Sequence, residues 1–198
     1  MKNAVLLVID VQNDFCSSRG ILARNGFELK KIRESVFRLA KLVNVARQAR
    51  IPIVFTKLVY DEKVIPENNY RRLKIKGVEG LCAPNSWGAE FFLIKPRRSE
   101  KVFVKNYYSA FFNTGLDAWL SKKKIKIVII TGVTTHVCPL LTSADAYYRG
   151  FELVAVSDCL GSYEAQDWSL KYMQKQFAAA VVSSSVLASI FREKGELK

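Results

Sequence analysis

An acid, a cation and a thiol stand at three separated points of the chain, each just past a short apolar run. Asp10 follows Ala4 to Ile9, Lys105 follows Val102-Phe103-Val104, and Cys138 lies a few residues beyond Ile125 to Ile130. A carboxylate can take the proton of a thiol, an ammonium can hold the resulting charge, and a thiolate is a strong nucleophile towards a carbonyl carbon. The plainer reading is a structural Asp10–Lys105 salt bridge, with Cys138 as helix packing. Topology alone leaves both open.

The residues around Cys138 favour the chemical reading. Pro139 suits the first position of a helix, where its missing N–H costs nothing, and Thr134 or Thr135 is placed to cap that turn. A thiol at such a start faces free N–H groups and the positive end of the helix dipole, which predicts a depressed pKa, with Lys105 adding to it. Gly132 permits an unusual backbone just before Val133-Thr134, so that N–H groups there can be aimed at a developing oxyanion.

Positioning these groups falls to strands alternating with helices. Ala4 to Ile9, Ile51 to Val59, Val102 to Val104, Ile125 to Ile130, Phe151 to Val156 and Ala180 to Val182 read as six strands, several of them apolar on both faces. Residues 28–49 place Ile32, Val36, Leu39, Val43 and Ala46 at steps of three and four, an amphipathic helix. Further helices are expected over Leu116 to Leu120, Cys138 to Tyr148 (ended by Gly150), about Glu164 to Ala179, and from Ser184 to about Lys194. The pattern predicts a single α/β domain over 1–198, a three-layer α/β/α sandwich with a six-stranded, mainly parallel, Rossmann-like sheet. In such a sheet the ligand site lies beyond the carboxyl ends of the strands, where Asp10, Lys105, Thr131 to Cys138 and Ser157-Asp158 fall. The long connection from Tyr60 to Glu100 has the length of a lid or pocket segment.

Composition narrows the function classes. The 198 residues are 49% hydrophobic and 25% charged, an ordinary globular balance. The net charge of +13 comes from scattered lysines and arginines with no nucleic-acid motif, so a basic solvated surface is expected and nucleic acid is not. The apolar run after Met1 is too short to be secretory or to span a membrane, so a cytoplasmic protein with reduced cysteines is expected. Cys16, Cys82, Cys138 and Cys159 form no C-x-x-C pair, and His136 is the single histidine, so zinc spacings are absent. The first strand ends in Asp10-Val11-Gln12-Asn13-Asp14 rather than a glycine-rich turn, which argues against dinucleotides and nucleoside triphosphates.

Val8-Ile9-Asp10-Val11-Gln12-Asn13-Asp14-Phe15 resembles the opening motif of the isochorismatase-like hydrolases. Lys105-Asn106-Tyr107-Tyr108-Ser109-Ala110-Phe111, with Thr114 and Leu116, resembles their lysine motif. Thr131-Gly132-Val133-Thr134-Thr135-His136-Val137-Cys138 resembles the nucleophile motif, and Val156-Ser157-Asp158-Cys159 the segment after the fifth strand. The resemblance implies Cys138 as nucleophile, Asp10 as general base, and Lys105 as the group that positions both and lowers the thiol pKa. It also implies a cis peptide between Val133 and Thr134, and an oxyanion hole from the N–H groups of Thr134 and Cys138.

Within that superfamily, Cys138 points to amide chemistry rather than to the vinyl-ether cleavage of isochorismatases. Thr56 to Glu62 lacks the histidines that nicotinamidases use for a metal, so no metal and no cofactor are expected. The branch most resembled is that of the N-carbamoylsarcosine amidases, ureidoacrylate amidohydrolases and biuret hydrolases, which implies a small amide, carbamoyl or ureido substrate. Isochorismatase- or nicotinamidase-type hydrolysis and a non-catalytic small-molecule-binding relative are the alternatives. Asn85 to Glu90 resembles a loop of that branch, making Trp87, with Phe15 and Tyr108, expected pocket walls. Arg71, Arg72, Arg97 and Arg98 are candidates for a substrate carboxylate. Pro139 after the nucleophile and Trp168 in the Glu164 to Leu170 segment depart from the family pattern. Relatives form dimers or tetramers, so a homo-oligomer is expected.

Overall fold

A computed structural model of the chain describes residues 3–196. Six strands form one sheet: β1 (Ala4–Ile9), β2 (Ile53–Leu58), β3 (Lys101–Lys105), β4 (Ile127–Val133), β5 (Glu152–Gly161) and β6 (Ala180–Val182). Their order is β3-β2-β1-β4-β5-β6 and every pairing is parallel. The order reverses between β1 and β4, and this switch point is where a doubly wound sheet opens a crevice for a ligand.

The central strand shows why the sequence folds this way. All six residues of β1 are buried. Ala4, Leu6 and Val8 pack into one core, while Val5, Leu7 and Ile9 pack into the other. A strand apolar at every position needs a helix layer on each face. Burying each of its larger side chains contributes about 1.5–3 kcal/mol. On one face lie α3 (Lys30–Gln48) and α8 (Ser184–Glu196), which supply Ile32, Val36, Leu39, Leu187 and Phe191. On the other lie α5 (Leu116–Lys122), α6 (Cys138–Tyr148) and α7 (Gln166–Phe177), with Leu116, Leu120, Leu140, Met173 and Phe177. The three layers and the parallel sheet agree with the expectation from periodicity. No helix among the described residues is long and apolar enough to cross a membrane.

Three short helices lack an apolar repeat readable in the sequence: α1 (Asn13–Cys16), α2 (Ile21–Arg24) and α4 (Glu67–Ile75). The last lies in the long β2–β3 connection, as does a 3-10 turn at Trp87–Ala89. Strand β5 also runs further than expected. It pairs with β4 through Ala155, bulges, and resumes pairing at Leu160 and Gly161. Ser157 and Asp158 therefore sit inside the strand, not past its end. Asp158 has a structural task there: its carboxylate accepts from the N–H and hydroxyl of Ser184, both at 2.7 Å, at the start of α8.

Candidate active site

The three groups singled out by type converge at the switch point. Asp10 leaves β1 in the left-handed region at φ 51°, which turns its carboxylate off the strand line. The backbone approach behind it is close. Gly132 of β4 has φ 109°, and a Cβ there would lie 2.1 Å from the Ile9 carbonyl oxygen, so only glycine fits. Lys105 ends the edge strand β3, two strands from β1, about 10 Å at ordinary sheet spacing. Its long side chain spans the gap left by β2 and brings Nζ to 2.6 Å from Asp10 Oδ2, both side chains fully buried.

This buried pair is well furnished. Lys105 Nζ also donates to the carbonyls of Tyr107 and Tyr108, each at 2.9 Å, so its three protons have three acceptors. The Thr56 hydroxyl donates to Asp10 Oδ1 at 2.7 Å and accepts from the Asp10 N–H at 3.2 Å. Oδ2 is left with the ion pair to Lys105 and no further donor among the described residues. The Cys138 thiol stands near enough to Asp10 and Lys105 for both charges to act on it. Burial works to lower the Lys105 pKa, but its interactions with Asp10 and Cys138 outweigh burial and hold the ammonium above its ordinary value.

The thiol does not behave as the helix start suggests. Burial, the largest influence, pushes Cys138 up to about 12; Lys105 pulls it down, and the Asp10 charge opposes that pull. At rest the sulfur keeps its proton, because desolvation and a neighbouring carboxylate outweigh one ammonium. The expected cap is also absent. Val137 is the N-cap residue, with no side-chain cap bond. Thr135 instead gives its hydroxyl to Gln166 Oε1 at 2.6 Å, tying the turn before α6 to the start of α7.

The Val133–Thr134 peptide is cis. The Thr134 carbonyl accepts from Val137 N–H and Thr135 N–H donates to Gly161, while the N–H groups of Thr134 and Cys138 have no backbone acceptor among the described residues. Two free donors beside a thiol form a site for a carbonyl oxygen gaining negative charge. His136 turns away from the sulfur: Nδ1 meets Ser162 Oγ and Nε2 meets Glu164 at 3.1 Å. Burial lowers its pKa, so the ring is a neutral packing and hydrogen-bonding group there.

Cys138 and Thr134 line a cavity together with Phe15, Tyr108, Phe27, Tyr60, Arg72 and Tyr163. Phe27, Tyr60 and Tyr163 lie in loops or just beyond a strand, and no spacing in the sequence marks them. Trp87 is not a wall. The residue is 42% exposed, and the Arg19 guanidinium lies over its ring, 5.0 Å from the ring centre. The 3-10 turn faces inward with its backbone instead, because a Cβ on Gly88 would fall 2.0 Å from Asp14 Oδ2. Of the four arginines, only Arg72 reaches the cavity; Arg71, Arg97 and Arg98 are exposed.

The rest of the opening motif serves architecture. Gln12 Nε2 donates to the Leu58 and Ala89 carbonyls at 2.8 and 2.9 Å, and its Oε1 accepts from Leu58 N–H at 2.8 Å. Asn13 donates to the Trp87 carbonyl, and Asp14 accepts from the N–H groups of Ile21 and Cys82. These bonds hold the long β2–β3 connection against the end of β1, next to Asp10.

The sequence model of the isochorismatase domain matches residues 4–185 of this chain. The chain belongs to the isochorismatase family. Among curated relatives, the ureidoacrylate amidohydrolase RutB of Acinetobacter baylyi is 27% identical, over 99% of this chain and 86% of its own. Among solved structures, a cysteine hydrolase from Pseudomonas syringae pv. phaseolicola superposes with a TM-score of 0.85 at 21% identity, covering 97% of this chain and 93% of that one. The N-carbamoylsarcosine amidase of Thermoplasma acidophilum superposes with a TM-score of 0.77 at 23% identity, covering 92% and 96%. In this isochorismatase-family chain, no group of three or more His, Cys, Asp and Glu side chains able to hold a metal occurs among the described residues.

Proposed function

We propose that the chain is a cysteine amidohydrolase that cleaves a carbon–nitrogen bond in a small linear amide, carbamoyl or ureido compound. The observation that carries this reading is the fully buried Asp10–Lys105 pair at 2.6 Å, near Cys138, which lines a cavity. A structural salt bridge has no need of a thiol beside it or of an opening above it. The ureidoacrylate amidohydrolase among the relatives supports the substrate class.

The geometry supports the following cycle. The substrate carbonyl oxygen accepts from the N–H groups of Thr134 and Cys138. Asp10 Oδ2 takes the thiol proton as sulfur bonds to the carbonyl carbon, so deprotonation belongs to the attack rather than preceding it. Lys105 stays charged and holds the growing negative charge on the sulfur side. Asp10 then gives the proton to the leaving nitrogen, and the carbon–nitrogen bond breaks to leave a thioester on Cys138. Water, losing a proton to Asp10, attacks that thioester and releases the acid; the proton returns to sulfur. Removing one oxyanion donor of this kind costs about 10²–10³ in rate.

An ammonia-release screen of primary amides, ureas and N-carbamoyl acids tests the proposal. Cys138→Ala and Asp10→Asn are each expected to abolish release on the best substrate while the far-ultraviolet dichroism stays unchanged. Wild-type turnover in either variant would refute the mechanism.

A further inference from the structure

We infer that a second ligand site lies at the end of the sheet opposite Cys138, and that it takes a phosphate monoester with a flat, apolar body. This site does not depend on the reading of Cys138 as nucleophile.

A cleft of about 330 Å³ opens where β2 and β3 begin, since Ile53 and Lys101, the first residues of those strands, line it. The six residues of β2 put roughly 20 Å between this cleft and the strand ends that carry the active site. Its walls hold five cations, Arg47, Arg50, Arg97, Lys101 and Lys123, and one carboxylate, Glu100. That carboxylate is already committed. Arg47 donates to it from Nε and Nη, both at 2.8 Å, and the Arg97 N–H donates to Oε2 at 2.7 Å. Burial works to raise the Glu100 pKa, but Arg47 and Arg97 outweigh burial and hold the carboxyl below its ordinary value. Arg47 also donates to the Lys95 carbonyl at 2.9 Å, which pins the segment 95–100 to the end of α3. Arg50, Arg97, Lys101 and Lys123 make no ion pair among the described residues.

Cations at helix ends are ordinary, because the last carbonyls attract them. That accounts for Arg50, just past α3, and for Lys123, the C-cap of α5. It does not account for Arg97, in a loop, or for Lys101, at the head of an edge strand. Like charges gathered in one concavity repel, and an anion brought by a ligand relieves that repulsion. A phosphate monoester carries about −1.5 to −2 at pH 7 with three acceptor oxygens, so it answers several cations where a carboxylate answers one. The rest of the lining is apolar: Ile51, Pro52, Ile53 and Trp119. The Trp119 ring meets Phe103 edge-on at 6.3 Å, and the Lys101 ammonium stands 5.7 Å from the same Phe103 ring, so cation and indole adjoin. A flat apolar body belongs against these groups. Inorganic phosphate alone would leave most of the cleft, room for roughly eleven waters, unfilled.

Calorimetric titration of the wild-type protein with adenosine 5′-monophosphate, adenosine and inorganic phosphate tests this. The nucleotide is expected to bind more tightly than either of its parts. The double variant Arg97→Gln/Lys101→Gln, at two exposed positions, is expected to weaken it about 10- to 100-fold, the value of a charge-assisted hydrogen bond. The charge-keeping variant Arg97→Lys/Lys101→Arg is expected to retain most of the affinity. Neither variant should change the melting temperature or the rate of Cys138 alkylation by iodoacetamide. Saturating nucleotide should also leave that alkylation rate unchanged in the wild-type protein, which separates this cleft from the cavity at Cys138. No binding of the nucleotide, affinity no better than that of inorganic phosphate, unchanged affinity in Arg97→Gln/Lys101→Gln, or protection of Cys138 by the nucleotide would each overturn the inference.

Discussion

Replacing Lys105 with methionine keeps the unbranched stem as far as the ε position and removes the charge. Asp10 would then be a fully buried carboxylate whose ion-pair partner, at 2.6 Å, has gone. Breaking a buried ion pair from one side costs about 3–5 kcal/mol, because the remaining charge has lost its compensation. For a domain of this size each kcal/mol shifts the melting temperature by about 2–4 °C. Lys105→Met is therefore expected to melt roughly 6–20 °C below the wild-type protein. The double variant Asp10→Asn/Lys105→Met has no charge at either position of the pair, and its side-chain amide keeps an oxygen for the Thr56 hydroxyl. It is expected to recover most of the loss, to within about 2 kcal/mol of wild type. Urea unfolding of the four proteins in the cycle measures this, with calorimetric melting as a second readout. A single-variant loss below about 1 kcal/mol, or a double variant as unstable as the sum of the singles, would refute the reasoning.

The same geometry makes two further predictions. Because burial raises Cys138 to about 12, the thiolate fraction climbs about tenfold per pH unit below that value. The rate of Cys138 alkylation by iodoacetamide, located by peptide mapping, should rise without a plateau from pH 7 to pH 10; a plateau by pH 8 would mean a preformed thiolate. Gly132→Ala forces a Cβ to 2.1 Å from the Ile9 carbonyl oxygen at φ 109°, and is expected to cost about 2–6 kcal/mol in urea unfolding. A loss below about 0.5 kcal/mol would show that the β1–β4 approach is not tight.

The parts of the molecule governed by local pattern are legible in the sequence. The continuous apolar run of β1 announces a strand covered on both faces, and the three- and four-residue spacing of Ile32 to Ala46 announces α3. Asp10 and Lys105 stand out because each ends such a strand. The rest depends on distant partners. α4 buries only Leu73, so it shows no apolar stripe, and Arg72 cannot be told from Arg71, Arg97 or Arg98. The threonines before Cys138 offer a cap by type, but Thr135 finds Gln166, 31 residues away. A helix start predicts an acidic thiol through a short-range effect. The burial that reverses the shift is set by the packing of the whole site. Trp87 looks like a wall by its motif, yet the close approach of Gly88 to Asp14 puts the turn's backbone inward and its ring outside.

Rapid-quench mass spectrometry of the wild-type protein during turnover of its best ammonia-releasing substrate examines the attack of sulfur directly. The account predicts a transient acyl mass on the peptide containing Cys138, forming with ammonia release and decaying with the appearance of the acid, and absent in Asp10→Asn. Full turnover with no adduct on that peptide, or an adduct on another residue, would contradict it.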